Sequence, residues 1–182
     1  FSCFIAVIGE CDGRVKYLTP EECLFRIYRD IRFSPNKLPY KNHFGAYICP
    51  NGGRKSLLSG YYLHLQPDGS FLSGGIYCPQ PAALKQLRES IELNYHELAA
   101  IANEKPFKKA FDGIVSPEVL KRVPIGFSPD SPAAEWLKYK HFIVEHPLTE
   151  AELVAADFRE KALEVFRAMK PFNDFCNESL ER

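Results

Sequence analysis

Six side chains able to hold an anion fall within one short stretch of this sequence. Residues 25–43 read FRIYRDIRFSPNKLPYKNH and carry Arg26, Arg29, Arg32, Lys37, Lys41 and His43, with Asp30 as the only acid. Arginine presents a planar fork of N–H donors that matches phosphate or carboxylate oxygens two at a time, so this pattern points to an anion clamp. The arginines recur at every third position. A segment passing from strand to loop cannot aim all three the same way, so two together and one apart is the expected arrangement. The competing reading is structural, with Asp30 pairing an arginine and the other cations closing helix C-termini. The flanking arginines would lower the pKa of Asp30, which makes it an orienting partner for Arg29 or Arg32 and not a general base.

His43 and His64 are the histidines nearest this stretch. Neighbouring cations disfavour the charged imidazole, so either one would be neutral and available as a base, and these two are the catalytic candidates. Tyr40, Tyr62 and His64 are candidates for shape and stacking. Lys121 and Arg122, in the loop KRVPIGF over 121–127, are candidates for a second cationic wall. The other motifs point away from particular chemistries. Gly52-Gly53-Arg54-Lys55-Ser56 superficially resembles a phosphate loop. It lacks the Gly-Lys-Ser/Thr order and precedes a strand, so it reads as a hairpin tip. No G-x-S-x-G elbow is present, and the six cysteines form no C-x-x-C pair or zinc-finger spacing. They read as small buried hydrophobes of a reducing compartment; Cys49 and Cys78, the nearest to the cation stretch, are included in that reading. No metal site and no cofactor is indicated.

Composition limits the partners. Lysine plus arginine equals aspartate plus glutamate at 23 each, so the chain has no net formal charge. A general polyanion binder is usually basic throughout, which argues against nucleic acid while leaving a local anion site open. The charge is unevenly spread: residues 26–43 hold five Lys/Arg against one Asp, about +4, and residues 145–182 hold nine acids against five bases, about −4. The acidic end reads as a solvated helical face. No apolar run approaches the roughly 18 residues of a membrane span, and no signal peptide is legible, so the cytoplasm is the expected location. The chain starts at Phe1 without Met, and a truncated N-terminus is the expectation.

The elements that must position these residues follow from periodicity. FSCFIAVIG has helical spacing and reads as the end of a helix. Thr19-Pro20-Glu21-Glu22 is a capped helix start. Residues 25–28 alternate and read as a strand, with Phe25 and Ile27 toward the core and Arg26 and Tyr28 outward. Ser34-Pro-Asn-Lys-Leu-Pro reads as a rigid loop that presents Lys37 and Lys41. A β-meander follows, with strands at 44–49, 60–66 and 71–78. Tyr61, Leu63 and Leu65 share one face of the second strand; Tyr62, His64 and Gln66 share the other. Gly74-Gly75 marks a bulge or a close backbone approach. A further strand is expected at 140–145. Helices are expected at 81–94 and 95–102, with short helices opening at Ser116-Pro117 and Ser131-Pro132. The Thr149–Glu152 capping box should open a long helix that ends or kinks at Pro171, before a short tail. The expected fold is one α+β domain over 1–182: a mostly antiparallel sheet of four to six strands packed with helices, including a long C-terminal one.

RIYRDIRFS at 26–34 and KLPYKNHFGAYI at 37–48 resemble the signature of a conserved bacterial family of unknown function. GYYLHLQPDGSFLSGGIYCP at 60–79, LKRVPIGFSPDSPAAEWL at 120–137 and the Pro171-Phe-Asn segment extend the resemblance over nearly the whole chain from about Phe25. Members of that family usually carry further N-terminal helical sequence with an Asn-Asn pair and a Glu-Trp-Phe, which this chain lacks. The resemblance implies an α+β domain with a shared polar surface built from the motif residues, and it implies no reaction. Three functions are therefore carried forward. The first is a binder of a phosphate- or carboxylate-bearing small ligand. The second is a hydrolase or transferase acting on such a ligand. The third is a nucleic-acid or protein interaction module.

Overall fold

The computed structural model describes residues 2–29 and 38–181. Among them one four-stranded antiparallel sheet runs in the order β1 (Phe44–Ile48), β2 (Gly60–Leu65), β3 (Ser70–Ile76), β4 (Phe142–Leu148). The first three strands are a meander. The fourth returns to the edge of β3 after a helical excursion that holds α3 (Pro81–Leu93), α4 (Tyr95–Asn103), α5 (Lys105–Ala110) and α6 (Ala134–Leu137). Ahead of the sheet lie α1 (Ser2–Cys11) and α2 (Pro20–Cys23), and after it α7 (Glu150–Leu153) and the long α8 (Phe158–Leu180). The fold is α+β.

The period-2 pattern assigns the two faces of the sheet. Ala46, Ile48, Tyr61, Leu63, Leu72, Phe142 and Val144 are buried beneath the helices. The helix α8 lies across β3 and packs on α1, α3, α4 and α5, so it is the spine of the helical layer. It can lie that close because Gly74 has no side chain: a Cβ there would collide with the Met169 sulfur. At Gly75, where φ is 111°, a Cβ would collide with the Phe142 carbonyl of β4. The Gly-Gly pair is thus a close approach, as its position in the strand suggested. Two buried amides on α8 complete the joint. The Asn177 side chain accepts from Ser59 N–H (2.7 Å) and donates to Ser59 C=O (3.0 Å), while Asn173 accepts from Ser59 Oγ (2.9 Å) and donates to Gly60 C=O (3.1 Å). Backbone groups of Ser59 and Gly60, where the chain enters β2, are satisfied this way.

Several expectations are corrected. Residues 25–28 are not a strand. Leu24 bridges to Ala46 and Phe25 N–H donates to Gly45 C=O (3.0 Å), after which the chain leaves β1 and pairs with 38–41 through Tyr28–Tyr40. Pro39 has no N–H to carry a ladder further. Phe25 and Ile27 are about 40% exposed (40% and 41%) and do not enter the core. Ser116 opens no helix. Its hydroxyl accepts from the N–H groups of Lys140 and His141, and Val115 and Val119 bridge to Ile143 and Tyr139, so this stretch lies extended beside the entry to β4. Ser131-Pro132 precedes only the single turn α6. The last strand starts and ends later than expected, and α5 was not foreseen.

The Thr149–Glu152 capping box forms, with Glu152 N–H donating to Thr149 Oγ1 (3.2 Å), yet α7 stops after one turn. None of its residues is buried, and a capped turn without a packed face does not propagate. The long helix begins instead at Phe158. Pro171 lies inside it, and 172–180 continue it as one element. An internal proline costs a helix about 3 kcal/mol, and here the complete burial of Phe166, Met169 and Phe172 around it outweighs that loss.

Candidate functional site

The sheet face turned away from α8 is the floor of an open cavity of about 670 Å3. Strand register fixes which side chains form it. One row across the sheet is Gly45–His64–Phe71, and the next is Tyr47–Tyr62–Ser73–Glu145. Phe25, Lys41 and His43 wall the side next to β1. The β1–β2 connection contributes Arg54 and Leu57, and the segment after β3 contributes Tyr77 and Cys78. Gly45 leaves room for the Tyr62 ring: a Cβ there would sit 2.8 Å from the Tyr62 hydroxyl and would have to displace it.

An aromatic stack occupies one end of the floor. The His64 ring lies between His43 (centroids 4.6 Å apart, planes at 25°) and Phe71 (4.7 Å, 13°). His64 Nδ1 is 3.0 Å from the Tyr62 hydroxyl and its Nε2 is 3.3 Å from Gln66 Oε1. Tyr62 and Gln66 thus occupy both ring nitrogens of His64. The nearest contact of His43 Nδ1 is Asn42 Oδ1 at 3.2 Å, an acceptor, which leaves the lone pair on Nε2. Partial burial, His64, Lys41 and Arg29 all hold the His43 pKa below the ordinary histidine value. The Tyr62 phenol is raised by burial.

Charge is divided across the cavity. Lys41 and Arg54 stand on the β1 side, and Arg29 is near enough to act on His43. One Arg54 nitrogen donates to the carbonyls of Glu21 and Leu24 (2.7 Å to the latter), fixing the guanidinium at the rim. Among the described residues Glu145 is the sole acid lining the cavity, and it lies on the strand at the opposite edge of the sheet. The Tyr47 hydroxyl lies within hydrogen-bond distance of the Leu58 (2.8 Å) and Gly75 (3.1 Å) carbonyls, and burial keeps it protonated by raising its pKa well above the ordinary value. At the far wall Cys78 is exposed, with φ of 51°, and its backbone N–H donates to His141 Nδ1 at 2.9 Å.

Of the residues singled out from the sequence, Lys41, His43, Tyr62 and His64 line this cavity together. Arg26, Tyr40, Lys121 and Arg122 are exposed and do not line it; Tyr40 instead packs on Tyr28 at 5.3 Å. Arg29 is half-buried beside it. Arg32, Lys37 and Asp30 lie outside the described residues. Sequence reasoning passed over Arg54, Phe71, Glu145 and Tyr77, and placed Cys78 in the core, whereas the structure exposes it at the cavity wall. The legible signal for Phe71 and Glu145 was the strand alternation itself, continued from β2 into β3 and β4. For Arg54 it was a β1–β2 connection longer than the two to five residues of an ordinary hairpin. A second cavity of about 720 Å3 between α5, β4 and α8 holds none of the singled-out residues.

Residues 1–175 match the family described as conserved hypothetical protein, DUF2461. The chain belongs to that family. The DUF2461 match covers all four strands and nearly all of α8, and it begins at residue 1, ahead of the segment from Phe25 where the sequence resemblance was placed. It agrees with a conserved domain of unknown function. No curated protein and no solved structure matches the chain. No helix among the described residues is long and apolar enough to cross a membrane.

Proposed function

We propose that the cavity on the open face of the sheet binds a small ligand bearing a phosphate or carboxylate. The observation that carries this reading is the convergence of Lys41 and Arg54 on a floor of aromatic rings in a single concavity. Concave sites lined by aromatic carbon with a few placed polar groups are the usual form of small-molecule sites. Lys41 has no carboxylate partner among the described residues, and Arg54 is anchored by two backbone carbonyls, which neutralise none of its charge. Arg29 adds to the positive field. Arg26, Lys121 and Arg122, further off, belong to the wider surface and not to the clamp. Six unpaired thiols suit a reducing compartment, in keeping with action in the cytoplasm.

A second reading has one specific observation in its favour. His43 is neutral near pH 7 and keeps a lone pair on Nε2, so it has the properties of a general base toward a ligand held at Lys41. The ligand reading does not need this step, and the two separate experimentally.

The test is calorimetry or thermal shift with inorganic phosphate, sugar phosphates, nucleoside monophosphates and short carboxylates. Wild type and Lys121→Ala/Arg122→Ala should bind the same anion equally, and Lys41→Ala should bind it at least tenfold more weakly. If Lys41→Ala binds as well as wild type, the cavity is not the anion site. Turnover of a bound ligand that His43→Gln abolishes would add the enzymatic reading.

A further inference from the structure

The proposed function leaves Glu145 without a role. We propose that the ligand is bipolar: a nucleoside monophosphate whose base carries an exocyclic amine, with its phosphate at Lys41 and Arg54 and its amine at Glu145. This rests on the reading above that the cavity holds an anion, and it adds what lies at the other end.

Sheet geometry carries the inference. Tyr47, Tyr62, Ser73 and Glu145 are successive partners across β1, β2, β3 and β4, and all four face the cavity. Adjacent strands lie about 4.8 Å apart, so the row spans roughly 14 Å from the cationic side to the carboxylate. Lys41 and Arg54 stand beyond the β1 end of that row, and Glu145 is the charge at its β4 end. Glu145 is exposed to the cavity, and among the described residues no cation pairs with it. A lone carboxylate facing a ligand favours an N–H donor there and repels a second anion.

What lies between the charged ends is aromatic. Phe25 stands edge-on to Tyr62 at 6.4 Å, Tyr62 is 5.8 Å from Phe71, and Tyr77 closes the far wall. A floor of rings favours a planar ring as occupant. A phosphate at one end, a flat ring in the middle and an amine at the other describe an amino-bearing nucleotide. Ser73, in the same row, offers a hydroxyl beneath the ring.

Calorimetry on the full chain with adenosine 5′-monophosphate, inosine 5′-monophosphate, ribose 5-phosphate and adenosine tests this. The adenosine and inosine monophosphates differ at C6, an amine against a carbonyl, and at N1, which carries a proton only in inosine; a carboxylate aligned on the exocyclic group meets a donor in the first and a second acceptor in the other. The amine form should bind about tenfold or more tightly, since a hydrogen bond to a charged group is at stake. In Glu145→Gln that preference should collapse, because the amide can donate to the carbonyl as well as accept from the amine; Glu145 is exposed, so the fold should survive the change. Equal affinity for both monophosphates and for ribose 5-phosphate would overturn the bipolar ligand while leaving the anion site standing. Adenosine binding as tightly as its monophosphate, or no binding by any phosphate, would overturn the anion reading as well.

Discussion

His43 and His64 stack face to face, their ring centroids 4.6 Å apart, at the rim of the cavity on the open sheet face. Two imidazoles so close cannot both take a proton freely, and Lys41 and Arg29 add to the same repulsion.

NMR titration of the histidine ring protons should therefore give His43 a midpoint below the ordinary 6.5, and Lys41→Ala should move it upward. The sign for stability follows from the same shift. As pH falls through about 6.5 the unfolded chain binds this proton first, so stability declines from there until the folded His43 titrates too, and then levels off. A His43 midpoint at or above 6.5 would contradict the stack as described.

The pair Gly74 and Gly75 makes a graded prediction about stability. Gly74→Ala drives a methyl into the Met169 side chain and should cost about 1–3 kcal/mol, part of it recovered by Met169→Ala. Gly75→Ala meets backbone, the Phe142 carbonyl, at a φ of 111° that alanine does not favour, and should cost about 3 kcal/mol or more with no side-chain rescue. Denaturant unfolding of the three variants measures both. Equal losses for the two glycines would refute the assignment.

Asp12 is 2% exposed and accepts from Tyr61 Oη (3.0 Å), Arg14 Nε (2.8 Å) and Arg14 Nη2 (2.7 Å). Burial on its own would raise its pKa; the Arg14 and Tyr61 hydrogen bonds and the Arg14 charge outweigh it and hold the carboxyl below the usual range. The stability this confers is present above the unfolded carboxyl value near 3.9 and is lost as pH falls through the lower folded value. Arg14→Met leaves the carboxylate buried without its cation. It should destabilise by about 3 kcal/mol at pH 7, with the loss shrinking toward pH 3. A pH-independent loss would mean that Arg14 acts through packing alone.

Cys78 offers a footprint of the cavity. Of the six thiols only Cys3 and Cys78 are exposed, and burial first, then Asp12, pushes half-buried Cys11 up to about 11. In a Cys3→Ser variant an uncharged maleimide should label Cys78 first. Saturation with the anionic ligand found by calorimetry should slow that labelling several-fold. An unchanged rate at saturation would place the ligand elsewhere.

Much of this was legible in the sequence where local chemistry and tertiary packing agree. The alternation of β2 put Tyr62 and His64 on one face because one face of that strand is buried. The Thr19 cap and the Gly74-Gly75 approach were readable for the same reason. The strand expected at 25–28 failed because alternation says nothing about how long the chain stays beside an edge: it pairs with β1 only at Leu24 and Phe25 and then turns to residues 39–41. The Thr149 capping box is a correct local signal that lacks the apolar face needed to extend it. At Pro171 the opposite holds, and packing overrides a local breaker. The candidate site was half legible: of the residues that line the cavity, the cation stretch supplied Lys41 and His43, but Glu145 comes from a strand a hundred residues later, and only the register of the sheet brings it to the same cavity.

That distance has a kinetic consequence. Strands β1 to β3 join through local connections, whereas β4 docks on β3 only after the chain has run from Ile76 to Phe142. Closing so long a loop is entropically slow, so a three-stranded meander should form before the sheet is complete. In that interval β3 is an open edge with free backbone groups, able to pair with another copy. Slow refolding at high protein concentration should therefore produce aggregates, and a chain cut between α3 and β4 should be more prone to them than the intact one.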